Sequence, residues 1–310
     1  MAFAQGSRSG LSYIEEVTFG TTPAGNFTAI PYNTHALNLS KERVTGNEIQ
    51  PDRMLRVDRH GNRQSGGDIT VDLRDGNFDP FLESAMQGVW DNTPVGPDVL
   101  KIGTTPKYFS IEDAAQDISQ FRLFTGMSVG SMSFSIAPNQ MVTSTMSMMG
   151  KDMTISGTGK TVDDATVAQP FDSYSGDLAI GNVAASSTIA TVTSVEFSID
   201  NALSPTFVVG DDATPFLESG MATVEGTFTA YFEDASLITR FIDEVESELI
   251  VSVDDPTGGN TYTFGFPKIK INGADVPVDG QTSRMISLPF VALYDDTEGT
   301  NFYIERPDTT

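Results

Sequence analysis

The sequence lacks cysteine entirely and contains only two histidines, His35 and His60, among its 310 residues. Without cysteine, structural disulfides, thiolate metal sites and cysteine nucleophiles are excluded. Two histidines leave little for zinc sites or for acid–base chemistry based on imidazole. No run approaches the roughly 18 consecutive apolar residues of a membrane helix, and residues 1–10 have no signal-peptide pattern. These absences predict a soluble protein made in the cytoplasm, with no catalytic residue, no metal and no cofactor.

Positive charge is also scarce, since the sequence has 18 basic and 42 acidic residues and a formal net charge of −24. A protein that grips nucleic acid needs clustered lysine and arginine, so this balance argues against a nucleic-acid clamp. The apolar fraction of 39% is sufficient for a substantial core. Abundant glycine, serine, threonine and aspartate favour strands joined by turns. The composition predicts a mainly β fold with short helices, in the α+β class.

Strand-like alternation recurs at matched spacing in the two halves of the chain. Apolar residues alternate in 37–40 and 67–73 of the first half, and in 197–200 and 226–232 of the second half. Period two is the pattern of a half-buried strand. The matched spacing suggests that one arrangement of strands occurs twice.

Further features follow in the same order in both halves. An amphipathic stripe over 78–88, with Asp79 as the expected cap, is matched by a stripe that begins at Ser236. The segment 110–113 resembles 252–255, and both are predicted to enter a turn. Phe124, Met127 and Val129 lie at a constant offset of 142 from Phe266, Ile269 and Ile271. Coincidence of generic β patterning is the alternative; agreement of spacing, helix and turns favours duplication.

The duplication divides the chain into four segments. We predict an N-terminal arm over 1–30, a first β-domain over 31–153, an extended connector over 154–190 and a second β-domain over 191–310. The first domain contains a long loop over 43–66 and an insertion over 89–107 that holds the only tryptophan, Trp90.

Candidate chemical sites are weak. Residues 157–161 are similar to the end of a phosphate-binding loop, but the first glycine of that motif is absent, and the pattern predicts neither a strand before the segment nor a helix after it. Asp72, Asp75 and Asp79 lack the spacing of a calcium loop, and a strand end with a helix cap explains them better. The many acids guarantee accidental carboxylate pairs, and nothing distinguishes one pair for sugar hydrolysis.

One charge contrast separates the two halves. Residues 41–66 contain six basic and four acidic residues, whereas the matching segment 200–225 contains five acids and no base. A solvated loop is the simpler interpretation; the alternative is that the two loops meet between subunits, where complementary charge sets the register. The candidate contacts between subunits or rings are Arg43, Arg53, Arg56, Arg59, Arg63, Asp211, Asp212 and Glu218.

Several runs resemble a known family. The N-terminal run 12–23, the strand 67–71, the run 78–83 followed by Trp90, and the closing segment 266–295 are similar to those of bacteriophage tail tube proteins. The resemblance is to the tubes of long, flexible, non-contractile tails, the siphovirus type, and it covers nearly the whole chain in pattern.

This resemblance implies two tandem tail-tube-type β-sandwich or half-barrel domains, each flanked by one helix. It implies a virion protein, assembled in the host cytoplasm, whose copies form stacked rings around a channel for double-stranded DNA that is not specifically bound. Two folds per chain imply a trimeric ring with pseudo-sixfold symmetry, with a hexamer as the alternative. Other implied partners are the tape measure protein and further tail proteins. The alternative functions are another ring-forming tail component, such as a baseplate or terminator protein, and a β-rich carbohydrate-binding protein.

Overall fold

The computed structural model describes residues 3–52, 54–92, 96–166, 168–174, 178–182, 185–188, 192–256, 259–278, 280 and 283–307. These residues form a mainly β structure with two α-helices, α1 (Asp79–Met86) and α2 (Ser236–Ile242). The strands are β1 (Ser9–Glu16), β2 (Phe27–Ala29), β3 (Thr34–His35), β4 (Asn38–Thr45), β5 (Asp58–Asp72), β6 (Asp98–Lys101), β7 (Tyr108–Ala115), β8 (Gln120–Ile136), β9 (Thr143–Gly150), β10 (Asp152–Ser156), β11 (Val162–Asp163), β12 (Leu178–Asn182), β13 (Ala185–Thr188), β14 (Val192–Asp200), β15 (Ser204–Pro205), β16 (Leu217–Glu218), β17 (Thr223–Tyr231), β18 (Ser247–Asp254), β19 (Thr261–Ile271), β20 (Met285–Ala292) and β21 (Tyr303–Arg306). The predicted class, mainly β with short helices, is confirmed.

Strands from both halves pair into one continuous sheet. Its order is β4–β5–β9–β8–β14–β17–β20–β19, and each neighbouring pair is antiparallel. The link between the halves is the pairing of β8 with β14, in which Phe134 lies opposite Phe197. Their rings stack with centroids 4.8 Å apart, and Phe197 also contacts Phe264 at 5.2 Å. Because such aromatic pairs join the two halves, the buried residues form one core rather than two.

The long strands β8 and β19 change partners along their length. The first part of β8 pairs with β7 and β10, and its later part pairs with β9 and β14. The first part of β19 likewise pairs with β18 and β21, and its end pairs with β20. Each long strand therefore belongs to two groups of strands that diverge around the core.

The pairing scheme of the first half recurs in the second. Seven strands of the first half have a counterpart in the second half with the same order and the same pairing partners. The corresponding strands are β1 and β12, β4 and β14, β5 and β17, β7 and β18, β8 and β19, β9 and β20, and β10 and β21. A register shift occurs at the same place in each half, next to the pairs Ile111 with Phe124 and Leu249 with Phe266. Helix α1 follows β5 as α2 follows β17.

A glycine stands at the same position of the second strand in each half. Gly67 in β5 and Gly226 in β17 pair with Met148 and Phe290, which are equivalent residues of β9 and β20. A Cβ on Gly67 would collide with the carbonyl oxygen of Ala36, and a Cβ on Gly226 would lie 2.6 Å from the carbonyl oxygen of Glu196. The neighbouring strand approaches too closely for any side chain, so both positions require glycine.

Two expected loops contain strands. The loop over 43–66 is a long hairpin in which β4 continues to Thr45 and β5 begins at Asp58, so the loop itself covers only 46–57. The alternation was hidden because both faces of this hairpin are largely exposed and polar. The insertion over 89–107 contains β6, which pairs with β21 of the second half.

The predicted N-terminal arm and the predicted connector also join the sheet. The arm over 1–30 contains β1, which pairs along its whole length with β7. The expected extended connector over 154–190 contains β11, which pairs with β2, and β12, which pairs with β18. Phe171 from this segment is fully buried. Short strands with few large apolar residues give too little periodicity to be recognised in the sequence.

Two local predictions need correction. Residues 110–113 do not enter a turn but lie within β7, and the matching residues of β18 begin at Glu248 rather than Ser252, because Phe109 corresponds to Ser247. The two predicted helix caps, Asp79 and Ser236, are instead the first residues of α1 and α2, whose caps are Phe78 and Ala235. The carboxylate of Asp234 accepts the hydrogen bond from the Ser236 backbone N–H at 2.8 Å.

Candidate functional site

The solvent-facing side of the shared sheet is built mainly from short hydroxyl side chains and carboxylates, and its β20 edge also carries Met285, Pro289 and Val291. Cross-strand pairing places Asp72, Thr143, Ser135, Glu196 and Thr227 in one row across five strands. The residues between them point the other way and are buried, as the sequence 195–199 of β14 illustrates. This side, from β5 to β20, is called the polar face below.

Five carboxylates lie on the polar face: Asp68, Asp72, Glu196, Asp200 and Glu225. The adjacent rows contain Thr70, Thr145, Ser133 and Ser198, and Ser147 donates a hydrogen bond to Asp68 at 2.6 Å. No arginine occurs in these rows among the residues that the structure describes. Lys270 at the margin has its ammonium 2.6 Å from the carboxylate of Glu244. The face is therefore strongly acidic, and a groove along it is lined by Glu196, Glu225 and Asn272.

The sheet has an open margin at each end. At the first, β3 and β4 pair only with β5 among the described strands. At the second, the chain after β19 keeps its bonds to β20, since Asn272 donates to the Pro289 carbonyl at 2.8 Å and Asp275 pairs with Ser287. No described strand pairs with the outer side of 272–278. Unpaired strand margins of this kind are templates for association with another chain.

Arg63 joins the two oppositely charged loops within one chain. Its guanidinium lies 3.2 Å from Asp152 and 3.2 Å from Asp212, and its backbone N–H donates to the Asp212 carbonyl at 2.7 Å. The contact that was predicted between subunits is therefore made, at this pair, inside the chain. The reason is that β5 and the loop after β14 lie side by side here, as the bridge from Arg63 to Ala213 shows.

The other candidate residues are exposed and are not brought together. Arg43 pairs with Asp58 at 2.9 Å and Arg56 with Asp52 at 2.7 Å, both inside the hairpin. Arg59 is exposed, and so are Asp211 and Glu218 on the acidic loop. Arg53 lies outside the described residues. Exposed pairs such as these contribute little to folding, so their charges are available for contacts with other molecules.

The tip of the hairpin is apolar as well as charged. Ile49 is 99% exposed, and Met54, Leu55 and Val57 beside it are also exposed. Together they line a cleft at the end of the hairpin. An exposed apolar cluster at the end of a projecting element is typical of a contact surface.

A buried polar network ties the two halves together. Arg306 of β21 pairs with Asp79 at the start of α1 and with Asp98 of β6 at 3.0 Å, and its guanidinium lies 4.2 Å from the ring centroid of Trp90. Burial lowers the pKa of Arg306, but the charge of Asp79 and the hydrogen bonds to both aspartates outweigh this and raise it. The hydroxyl of Tyr262 donates to Asp79 at 2.7 Å. Burial, followed by the charge of Asp79, raises the pKa of Tyr262 well above its usual value.

The patterns that resembled chemical sites have structural roles. Asp72 accepts a hydrogen bond from Asn33, and Asp79 belongs to the network around Arg306. Residues 157–161 form a turn that leads into β11, with no helix after it. No group of three or more potential metal ligands occurs among the described residues. His35 lies beside Asp113, and His60 is exposed in the hairpin.

The acids of the polar face were not selected by sequence reasoning. Their signal is present in the strand alternation, because Glu196, Ser198 and Asp200 alternate with Phe197 and Ile199. What the sequence could not show is that strands from both halves bring their polar sides to one surface.

Among the described residues, neither helix is long and apolar enough to cross a membrane. A family model described as phage tail tube protein matches residues 6–292, which is nearly the whole chain. Comparison with curated proteins finds no match.

Proposed function

The chain belongs to the phage tail tube protein family and is a structural component of the virion tail, and from this premise we propose that three copies close into a ring with pseudo-sixfold symmetry. The rings stack into the tube of a long, flexible, non-contractile tail and enclose a channel through which double-stranded DNA leaves the virion. The protein has no enzymatic activity in this role. It contacts the tape measure protein and other tail proteins, and it is assembled in the host cytoplasm.

The observation that carries this proposal is the acidic polar face of a sheet that both halves share. Double-stranded DNA has about one negative charge per 1.7 Å of its axis. A channel wall with Asp68, Glu196 and Glu225 and no arginine repels the phosphates instead of holding them. Short hydroxyl side chains between the acids leave a smooth surface. The polar face therefore suits passage of DNA without specific binding.

Two tandem domains of one type, arisen by duplication, are supported by the repeated pairing scheme and by the paired glycines Gly67 and Gly226. A wall unit then consists of four strands in each half. Three chains supply six such units, which is the number of single-domain subunits in a sixfold ring. A ring of six chains would need twelve units and is the alternative.

Ring closure follows from the pairing between the halves. Within the chain, residues 131–136 of β8 pair with 195–200 of β14. The equivalent positions are 273–278 after β19 and 35–40 in β3 and β4, which are the two open margins. We propose that 273–278 of one chain pair with 35–40 of the next. Such a head-to-tail contact closes a ring and leaves no exposed strand margin in the sheet.

Stacking between rings uses the hairpin tip. The exposed apolar cluster around Ile49 and the arginines beside it project from the sheet and contact the next ring or subunit. The charges of Arg56 and Arg59 set the register of this contact, while the apolar area provides the affinity.

Electron microscopy of the purified protein tests the proposal directly. We expect hollow tubes of stacked rings with three chains per ring. A purified protein that stays monomeric at high concentration contradicts the proposal. Virions whose tubes lack this protein also contradict it. A single ring at one end of the tail would instead support the baseplate or terminator alternative.

The channel assignment has its own test. Assembled tubes with Glu196→Lys and Glu225→Lys should retain double-stranded DNA at low salt and release it as salt is raised, whereas unmodified tubes should retain none. The control is Asp296→Lys with Glu298→Lys, an equal charge change in the turn between β20 and β21, outside the polar face. Equal DNA retention by both pairs of variants would contradict the assignment.

A further inference from the structure

The two helices occupy equivalent places in the halves but are covered to different extents. In α1, every residue from Phe81 to Met86 is buried. In α2, no residue is buried: Leu237, Ile238 and Phe241 are half-buried, and Ile242 is 67% exposed. The second helix thus presents apolar side chains that the first helix buries.

Helix α1 packs against β8 and β6 of its own half, and the second half of the same chain covers its end. The side-chain amide of Asn201, directly after β14, donates to the Ala85 carbonyl in the last turn of α1 at 2.8 Å. Asn201 also donates from its backbone N–H to Gly130 at 2.9 Å and is only 3% exposed. Farther along the same loop, Ser219 accepts a hydrogen bond from Gln87 at 2.7 Å, next to the end of the helix. The strand that pairs with β8 therefore also closes the end of α1.

Strand pairing identifies the residue equivalent to Asn201 in the first half. Asn38 pairs with Gly66 as Ser198 pairs with Glu225, so the residue three positions after Asn38 corresponds to Asn201. That residue is Lys41. It lies on β4 at the open margin, it is exposed, and it makes no ion pair among the described residues.

The end of α2 contains Arg240 in its last turn and leaves one nearby carboxylate for a further cation. The helix is followed directly by Asp243, Glu244 and Glu246. The two glutamates are paired with Lys270 and Lys268, at 2.6 and 2.9 Å. Asp243 is exposed and is without an ion pair in the described chain. The carbonyls of Thr239, Arg240 and Phe241 already accept backbone hydrogen bonds. A further cation at this end is therefore attracted by the Asp243 carboxylate and by the negative end of the helix dipole.

We propose that α2 is a docking site for β4 of a second copy of this chain, with the Lys41 ammonium beside the Asp243 carboxylate at the C-terminal end of α2. The inference rests on the proposed ring and adds the contact that the helix makes in it. The occupant is a copy of this chain because the interface continues the pairing of 273–278 with 35–40, and because the same contact already exists between the two halves. In the ring, Ile242 and Phe241 become buried as Leu82 and Ala85 are in α1.

Charge reversal and its compensation test this contact. Lys41→Glu should raise the concentration needed for ring assembly by about tenfold, since one favourable contact at a helix end is replaced by repulsion. Asp243→Lys should have a similar effect. The chain with both substitutions should assemble at close to the normal concentration. Assembly is measured by light scattering during size-exclusion chromatography and by electron microscopy.

Controls separate a folding defect from an assembly defect. The monomers of all variants should keep the normal circular dichroism and melting temperature, because both residues are exposed. Lys160→Glu, a reversal at an exposed lysine far along the chain from β4, should assemble normally. Ile242→Ser, in a chain that keeps Lys41 and Asp243, should also weaken assembly.

The outcomes distinguish this inference from the proposed function. Normal assembly of Lys41→Glu and of Ile242→Ser overturns the docking of α2 while the unmodified tubes still support the ring. Weakened single variants that the double substitution fails to restore overturn the contact between Lys41 and Asp243. If the unmodified chain forms no rings at all, the proposed function itself fails, and the docking inference with it.

Discussion

Replacement of Arg306 by methionine is expected to destabilise the protein strongly, although the residue lies close to the end of the chain. Its guanidinium connects α1, β6 and β21 through Asp79 and Asp98, and Asp98 is fully buried. Methionine preserves most of the apolar stem but removes the charge. Two carboxylates then lose their cationic partner: Asp98, which is fully buried, and Asp79, which is mostly buried.

The magnitude follows from this burial. Removing one partner of a buried ion pair costs about 3–5 kcal/mol, because the remaining charge is left uncompensated. At about 2 °C per kcal/mol for a chain of this size, the melting temperature should fall by about 6–10 °C. Arg43→Met, which breaks the exposed pair with Asp58, removes the same type of side chain and should cost less than about 1 kcal/mol.

The single tryptophan provides the assay. Trp90 is 8% exposed and lies against Arg306, so its fluorescence reports on the junction of the two halves during thermal unfolding. The melting temperature of Arg306→Lys should lie between those of Arg306→Met and Arg43→Met, because lysine keeps the charge but has no planar guanidinium to bind both aspartates. If Arg306→Met melts within one degree of Arg43→Met, the network does not hold the halves together and the reasoning is wrong.

The remaining predictions concern the hairpin and the response to acid. Replacing Arg53, Arg56 and Arg59 by glutamate should impair assembly, seen by electron microscopy, but leave the melting temperature of the monomer unchanged; normal tubes would exclude a role of these charges in subunit contacts. Burial alone would raise the pKa of Asp113, but hydrogen bonds from His35 and Arg122 outweigh it and lower the pKa. Because the folded-state pKa is lowered, this stabilisation is complete above the ordinary carboxyl pKa of about 4 and is lost as the pH falls below it. Asp113→Asn should therefore reduce the free energy of unfolding at pH 7 and have a smaller effect at about pH 3; an equal loss at both pH values would contradict this.

Strand alternation and spacing were sufficient for the fold class. Gly67 and Gly226 were aligned from sequence, and so were Phe124 and Phe266; strand pairing places each pair at equivalent positions. These predictions succeed because a strand with one buried face has a period of two that is visible within a few residues. The alignment of residues 110–113 failed because the second half has four more residues in the turn between its paired strands: Leu249 and Phe266 are 17 positions apart, whereas Ile111 and Phe124 are 13 apart.

Strands without an apolar face were missed. The hairpin arms from Lys41 to Thr45 and from Asp58 to Gln64 contain no buried residue, so their sequence looks like a polar loop. The short strand β6 in the insertion was missed for a different reason: its partner, β21, is about 200 residues away in the sequence. Pairing over such a distance leaves no local signal.

By itself the sequence determined the absence of cysteine, the acidity, the β-rich class and the family resemblance, because these depend on composition and local periodicity. Only the tertiary structure decided that Asp68, Glu196 and Glu225 share one surface, that Arg63 meets Asp212 inside the chain, and that α1 is covered while α2 is half-exposed. Those relations depend on which strands become neighbours, and neighbours in a sheet are chosen by the packing of the whole core.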